Sequence, residues 1–179
     1  MRYASIRSLD ISNGEGVGVS LFVQGCDRHC FNCFNSDTWD FNGGKEWTEE
    51  TKNKFIKLIN RPYINRISVL GGEPLAEQNL DEVLSLIKEI RISFPEKTIW
   101  LYTGYKFEDL INEIHYPLDS EWEDKILRQS IVKLCDVLVD GEYIDEQKDL
   151  SLRFRGSKNQ RVIDVKQSLA QNKVVLYCN

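Results

Sequence analysis

The sequence has no excess of positive charge and no long hydrophobic run. Its 179 residues include 28 acidic and 23 basic side chains, which give a net charge of -5. A chain of this charge has no basic field to hold a nucleic-acid backbone. No run is long enough to span a bilayer, and residues 1–16 lack the apolar core of a signal peptide. We therefore expect a cytoplasmic protein with neither nucleic-acid nor membrane partners.

The sequence also lacks internal repeats, low-complexity segments and linkers. Its length suits a single core, so we expect one domain over residues 1–179. The even, dispersed set of cysteines typical of a disulfide framework is absent as well. There are five cysteines, and three of them lie within eight residues. In a reducing compartment, clustered thiols more often bind metal or take part in redox chemistry.

Apolar runs alternate with amphipathic stretches along the chain. The predicted strands are Val19–Val23, Ile67–Leu70, Ile99–Tyr102 and Val137–Val139, with a last candidate at Val174–Tyr177. The predicted helices are Thr48–Asn60, a stripe from Leu80 to Ile90, Phe107–Ile114 and Trp122–Leu134. Strands that alternate with helices at these intervals favour an α/β fold, with a parallel sheet or partial barrel.

Each of the first four predicted strands is followed at once by a polar or glycine-rich turn. These turns are Gly25-Cys26, Gly71-Gly72-Glu73, Thr103-Gly104 and Asp140-Gly141. In parallel α/β architectures, ligands bind at the carboxyl ends of the strands. The pattern therefore predicts that four loops converge on one edge of the sheet and form a site there.

One of these loops carries a cysteine triplet. Cys26, Cys30 and Cys33 are spaced so that a loop can turn all three sulfurs toward one inorganic cluster. Ordinary electron-transfer clusters have four protein thiolates. Three thiolates leave one iron without a protein ligand, and an open coordination position is typical of catalytic metal sites.

Two simpler interpretations of the triplet stay open. A structural zinc site could add His29, Cys135 or Cys178 as its fourth ligand, and a ferredoxin-like carrier would recruit a fourth cysteine. Structural zinc ligands usually come as two separated pairs, so the spacing favours an open cluster. Cys135 at the start of a predicted strand is more simply a packed thiol, and Cys178 a tail residue.

The triplet Cys-x3-Cys-x2-Cys after a first strand resembles the signature of the radical S-adenosylmethionine (SAM) superfamily. More closely, the chain resembles the family of activating proteins of anaerobic (class III) ribonucleoside-triphosphate reductase. The resemblance covers about residues 10 to 165 and is carried by Asn13-Gly14, Leu21–Cys26, Cys33–Asn35, Thr38-Trp39, Gly71–Leu75, Tyr102–Tyr105, Val137–Gly141, Arg155–Ser157 and Asn159–Arg161. Phe34 and Phe154 stand where the family usually has Tyr and Trp.

The resemblance implies a partial (β/α) barrel of mostly parallel strands, of the radical SAM type. It implies a [4Fe–4S] cluster on Cys26, Cys30 and Cys33, with SAM bound to the remaining iron. The implied enzyme generates a 5′-deoxyadenosyl radical and installs a glycyl radical on the anaerobic reductase. Its electrons would come from a low-potential donor such as flavodoxin or ferredoxin. The alternatives are a radical SAM enzyme for another glycyl-radical protein or a small molecule, and a non-catalytic zinc or iron–sulfur module.

The residues expected to contact SAM lie in three of the four loops. They are Asn32, Cys33, Phe34, Gly71, Gly72, Glu73, Pro74 and Thr103. Two adjacent glycines let backbone polar groups approach the methionyl amino group closely. Phe34 could pack on the adenosyl group, and Thr103 could line a nucleoside pocket. Arg155, Ser157, Asn159 and Gln160 are candidates for a polar surface facing the reductase. Taken alone, these features could equally be plain turns, a core residue and a solvated loop.

Overall fold

The computed structural model describes residues 1–111 and 121–178, which form one eight-stranded sheet with helices packed on it. The strands are β1 (Arg2–Asp10), β2 (Gly18–Val23), β3 (Lys45–Glu46), β4 (Arg66–Gly71), β5 (Thr98–Tyr102), β6 (Val137–Asp140), β7 (Arg161–Asp164) and β8 (Leu176–Cys178). The helices are α1 (Glu49–Ile59), α2 (Leu80–Ser93), α3 (Phe107–Ile111), α4 (Glu121–Leu134) and α5 (Val165–Gln171). The α/β class predicted from the sequence is confirmed.

The sheet is mixed and open. Its strand order is β3-β1-β2-β4-β5-β6-β7-β8, so β3 and β8 are its edges. The four central strands, β2, β4, β5 and β6, are parallel. Antiparallel pairs flank them on both sides. Within the described residues, no helix has both the length and the apolar character needed to cross a membrane.

The two faces of the central strands have different surroundings. Alternate residues such as Val19, Leu21 and Val69 point to one face and are fully buried in the main core with α1, α2 and α4. On the other face, Phe22 lies opposite Leu70 in the β2–β4 pair, and Tyr102 lies opposite Val139 in the β5–β6 pair. The β4–β5 register brings the two pairs side by side. We call these four residues the transverse row.

The strongest periodic segments were predicted well. Helix α1 begins at Glu49, and the hydroxyl of its N-cap, Thr48, accepts a hydrogen bond from the backbone of Thr51. The apolar stripe of α2 is buried as expected. Helix α3 is described as far as Ile111, and the rest of the predicted helix, to Ile114, lies outside the described residues.

Four elements were not predicted. Strand β1 fully buries only Asp10, β3 has two exposed residues, and β7 fully buries only Val162 and Ile163. Helix α5 is only seven residues long. Such short or exposed segments are held by pairing with distant strands, so they leave little pattern in the sequence.

Two further expectations concern the C-terminal strand and the remaining cysteines. The last strand is Leu176–Cys178, not Val174–Tyr177. The expectation that Cys178 is a tail residue is wrong, because it pairs with Val162 in β8 and is partly buried. Cys135 is a packed thiol, as expected: it is fully buried, and its Sγ donates to the carbonyl of Ile131 at 3.2 Å.

Candidate functional site

A cavity of about 510 Å³ opens at the carboxyl ends of the parallel strands. Its floor is the transverse row, and its walls include Cys26, Gly72, Thr103 and Gly141 from the four turns predicted to converge. The convergence of the four loops on one edge is therefore confirmed. The volume lies within the range of small-molecule and cofactor sites, which is about 300–1,000 Å³.

The three thiols of the triplet all line this cavity. Cys26, Cys30 and Cys33 are free and partly buried. The loop that carries them is attached to the segment that follows it, because the amide of Cys26 donates to the carbonyl of Trp39 at 3.0 Å. Within the loop, the amide of Cys33 donates to the carbonyl of Cys30 at 3.1 Å. The backbone thus holds all three sulfurs toward one space.

Burial opposes ionisation of two of the thiols, Cys26 and Cys30. It raises the pKa of Cys26 to about 11, and it also raises the pKa of Cys30. Because iron binds thiolates, loading the site must displace these protons. Across residues 1–111 and 121–178, no three His, Cys, Asp or Glu side chains are grouped closely enough to hold a single metal ion. Iron–sulfur clusters spread their thiolates over several irons, so the shared cavity is the relevant test of fit.

The cysteine loop packs against the segment of residues 141–147, which follows β6. Three side-chain contacts join them: Arg28 to Glu142 at 2.7 Å, Asn32 to Asp145 at 2.9 Å, and Phe34 to Tyr143 with ring centroids 5.1 Å apart. These contacts link positions more than a hundred residues apart in the chain. The loop is therefore ordered by tertiary contacts as well as by its own turns.

Arg28 also connects the cysteine loop to the other turns. Its guanidinium stacks on the ring of Tyr105 with a distance of 3.9 Å to the centroid. The guanidinium of Arg128 lies 5.1 Å from the same ring, and its Nε donates to the carbonyl of Leu75 at 2.9 Å. Cation–π contacts of this kind are worth about 0.5–2 kcal/mol each. The turns after β2, β4 and β5 are thus held together by one stack of side chains.

The glycine turn after β4 touches the backbone of the cysteine loop. A Cβ at Gly72 would lie 2.3 Å from the carbonyl oxygen of Gly25, a distance that no side chain tolerates. The next amide, that of Glu73, donates to the same oxygen at 2.8 Å. Gly71 adopts a φ of +110°, which strongly favours glycine. Both glycines are therefore required by the close approach of two backbones.

The side chain of Glu73 is buried and fully engaged within the protein. Its carboxylate accepts hydrogen bonds from the amide of Leu75 at 2.9 Å, the hydroxyl of Thr103 at 2.8 Å and the amide of Gly104 at 2.8 Å. Burial raises its pKa above the usual value. The carboxylate joins the turns after β4 and β5, which leaves the backbone of the turn as the part that can meet a ligand.

Most of the predicted cofactor contacts border the cavity. Those that line it are Cys33, Phe34, Gly71, Gly72, Glu73 and Thr103. Asn32 and Pro74 do not line it: Asn32 is exposed and adopts a φ of +54°, while Pro74 is buried. Of the four residues suggested for a polar surface, Arg155 and Gln160 line the cavity.

Sequence reasoning gave no site role to several lining residues, notably Arg7, Arg28 and Tyr102. A usable signal existed for most of the floor. Leu70, Tyr102 and Val139 each directly precede one of the predicted turns, whereas Phe22 lies three residues before Gly25. Aligning the predicted strands by their turns would have picked out the first three of these residues. Nothing in the local sequence indicates that Arg7 reaches the cavity.

Comparison with known proteins agrees with an iron–sulfur protein. Residues 12–163 match the family model described as a 4Fe-4S single cluster domain. The chain is 38% identical over 164 residues to the anaerobic ribonucleoside-triphosphate reductase-activating proteins of Salmonella typhimurium and Escherichia coli K12, covering 90% of this chain and 97% of each relative. The protein of the same name from phage T4 is 37% identical, covering 90% of this chain and 93% of that protein.

Each of these matches with a relative spans nearly the full length of both sequences. The chain belongs to the family of anaerobic ribonucleoside-triphosphate reductase-activating proteins. The family resemblance read from the sequence motifs is confirmed.

Proposed function

We propose that the chain, as one domain over residues 1–179, activates anaerobic ribonucleoside-triphosphate reductase by radical SAM chemistry. A [4Fe–4S] cluster on Cys26, Cys30 and Cys33 would bind SAM, and the product would be a glycyl radical on the reductase. The observation that carries the proposal is that these three thiols share one cavity with the glycine turn after β4. The partial (β/α) barrel of the radical SAM type is the arrangement we propose for the sheet.

The chemistry that the cluster supplies when bound is one electron, which breaks a sulfonium–carbon bond of SAM and releases methionine and a 5′-deoxyadenosyl radical. The glycyl radical would arise by transfer of a hydrogen atom from a glycine of the reductase to the 5′-deoxyadenosyl radical, with 5′-deoxyadenosine as the other product. The electron comes from a low-potential donor such as flavodoxin or ferredoxin. Low-potential iron–sulfur clusters reach about -700 mV, which suits so difficult a reduction.

The residues of the chain bind and orient in this scheme. The backbone at Gly71 and Gly72 lines the cavity and is partly exposed, and it suits the methionyl amino group. Phe34, which is half exposed at the cavity, suits the adenosyl group. Thr103 would border the nucleoside, with the backbone of Asn32 and Cys33 as further contacts. Glu73 and Pro74 would act by fixing the shape of the turn.

Exclusion of water is the other task of the site. A carbon radical reacts with whatever lies nearest, so its target must be held close and solvent kept out. The apolar residues of the transverse row form the floor on which this can happen. The mouth of the cavity is open in the isolated chain, and the bound reductase would close it.

The proposal is tested by anaerobic reconstitution with iron and sulfide, then reduction in the presence of SAM. We expect 5′-deoxyadenosine and methionine in equal amounts. Addition of the reductase should then give a glycyl radical signal in electron paramagnetic resonance. Absence of 5′-deoxyadenosine from a brown, iron-loaded protein would refute the radical chemistry. Zinc in place of iron, in colourless protein, would support a structural metal site instead.

Cysteine variants test the ligand set directly. Cys26→Ala, Cys30→Ala and Cys33→Ala should each lose iron and abolish SAM cleavage, because a three-thiolate site has no spare ligand. Cys178→Ala is the matched control, since this thiol lies in β8 and does not line the cavity. Iron content and 5′-deoxyadenosine should match wild type in the control. Equal loss from Cys178→Ala would show that the ligand set is wrong.

A further inference from the structure

Tyr102 lines the cavity, and its buried hydroxyl has no protein partner within residues 1–111 and 121–178. It belongs to the transverse row, and its hydroxyl oxygen is shielded from solvent. Among the described residues, this hydroxyl has no hydrogen-bond partner. Buried polar groups are almost always hydrogen-bonded, so an unpaired one at a cavity points to a ligand or an ordered water.

Arg155 is a second unpaired donor at the same cavity. Its Nε is buried and, among the described residues, has no hydrogen-bond partner. Nor does its guanidinium form an ion pair with any described carboxylate. The neighbouring Arg153 differs, because it is exposed, pairs with Glu15 at 3.6 Å and does not line the cavity. An arginine left without a carboxylate beside a cavity is available to one supplied by a ligand.

Arg7 supplies a third donor from β1. Its guanidinium lies 4.7 Å above the ring of Phe22, which is part of the cavity floor. Its ion pair with Asp10 is long, at 3.6 Å, and the same Asp10 already accepts hydrogen bonds from Ser12 and Asn13. Most of the hydrogen-bonding capacity of this guanidinium is therefore unused.

Two of these donors, Arg7 and Tyr102, are placed by strands and not by the cysteine loop. Arg7 is opposite Ser20 in the β1–β2 pair, three residues before β2 ends and six residues before Cys26. Phe154, next to Arg155, packs on Trp100 with ring centroids 5.0 Å apart, and Trp100 lies two residues before Tyr102 on the same face of β5. The cavity therefore extends from the cysteine loop along the sheet. Arg7 and Tyr102 lie in its other part, and Arg155 lies between the two parts, because Gly156 beside it packs against Phe34.

We propose that Arg7, Tyr102 and Arg155 bind a carboxylate-bearing segment of the partner polypeptide. Two guanidiniums and a hydroxyl suit an anionic acceptor, and guanidinium pairs with carboxylates in a two-point geometry. The apolar floor between them suits the side chains of an extended segment rather than a second highly charged small molecule. The inference rests on the proposed function, since it identifies what the reductase presents to the same cavity.

The experiment measures binding of the reductase to the full-length, iron-loaded protein by calorimetry, with saturating SAM. Arg155→Gln should raise the dissociation constant tenfold or more, because a charged hydrogen bond is lost. Tyr102→Phe, which removes only the hydroxyl, should raise it about threefold to tenfold. Arg153→Gln is the matched control and should bind as wild type does. Circular dichroism and iron content verify folding, and the isosteric Tyr102→Phe variant keeps the test valid if an arginine variant misfolds.

Salt dependence gives a readout that a merely structural role would not change. Wild-type affinity should fall with ionic strength, and the slope should be smaller for Arg155→Gln than for Arg153→Gln. Unchanged reductase binding in both Arg155→Gln and Tyr102→Phe would overturn the inference. Weaker binding of SAM with unchanged binding of the reductase would also overturn it, because the donors would then belong to SAM. The binding assay does not depend on SAM cleavage, so failure of the proposed radical chemistry is detected separately, as absent 5′-deoxyadenosine.

Discussion

Replacing the buried carboxylate of Glu73 should separate the turns that it joins. In Glu73→Gln the amide has one oxygen, which can keep the hydrogen bonds from Leu75 and Thr103. Its NH₂ group then faces the amide of Gly104, so a buried donor loses its acceptor. An unsatisfied buried donor costs about 1–3 kcal/mol, and we expect a loss of that size in the free energy of unfolding. Glu73→Ala leaves both backbone amides unpaired and should cost about twice as much.

The loss in free energy of unfolding in Glu73→Gln should depend on pH, and its direction follows from the pKa of Glu73. Burial raises the pKa of Glu73 in the folded protein above its ordinary value of 4.5. A raised pKa means that the carboxyl contributes its full stability below the unfolded-state pKa and loses it as pH rises through the folded-state pKa. Because glutamine does not titrate, the difference in stability between wild type and Glu73→Gln should shrink as the pH rises above about 4.5.

The assay is urea unfolding of the metal-free protein at about pH 5 and about pH 8, with amide hydrogen exchange at Leu75 and Gly104. Glu77→Gln is the matched control, since Glu77 is exposed just after the same turn. We expect the control to stay within about 0.5 kcal/mol of wild type. Two results together would refute the view that this carboxylate joins the two turns. Glu73→Gln would have the same free energy of unfolding as wild type, and its Gly104 amide would be equally protected from hydrogen exchange.

Gly72→Ala should be strongly destabilising and should block reconstitution, because the new carbon would meet the backbone oxygen of Gly25 at 2.3 Å. Gly104→Ala is the milder comparison, since its carbon would meet only a flexible arginine side chain at 3.0 Å, and equal melting temperatures for the two variants would contradict the backbone contact. Although burial opposes ionisation of Asp10, hydrogen bonds from the backbone and side chain of Asn13 lower its pKa from 3.8 to about 2. Its stabilisation, about 2 kcal/mol, should be present above pH 3.8 and be lost as pH falls toward 2, a step that denaturation of Asp10→Asn should lack.

The elements that could be predicted from the sequence are those with their own periodic pattern. The strand Val19–Val23 is a buried, nearly continuous apolar run, and α2 buries apolar side chains at regular intervals, so a local pattern reports both. Strand β1 could not be found in this way, because eight of its nine residues are partly or fully exposed and only Asp10 is buried. Its place depends on pairing with β2 and β3, which no local window contains.

The site residues also fall into those that the sequence could predict and those that it could not. Gly71 and Gly72 follow a strand directly, so their place at the carboxyl edge follows from topology alone. The backbone of Asn32 was expected at the cofactor, and the direction of its side chain could not be predicted, because that side chain donates to Asp145, 113 residues further along. The position of Arg7 likewise depends on the register of β1 against β2. Long-range contacts of this kind decide which way a side chain turns, and sequence spacing carries no information about them.

The contacts between the cysteine loop and residues 141–147 have a consequence for how the protein is made. The ribosome releases all three thiols of the triplet long before it reaches Glu142 and Asp145, the residues to which the loop is bound. A chain shortened before position 141 would keep every thiol of the triplet and lose the partners that order their loop. With the proposed ligand set, we therefore expect stable cluster loading only after residues 141–147 have emerged from the ribosome and folded.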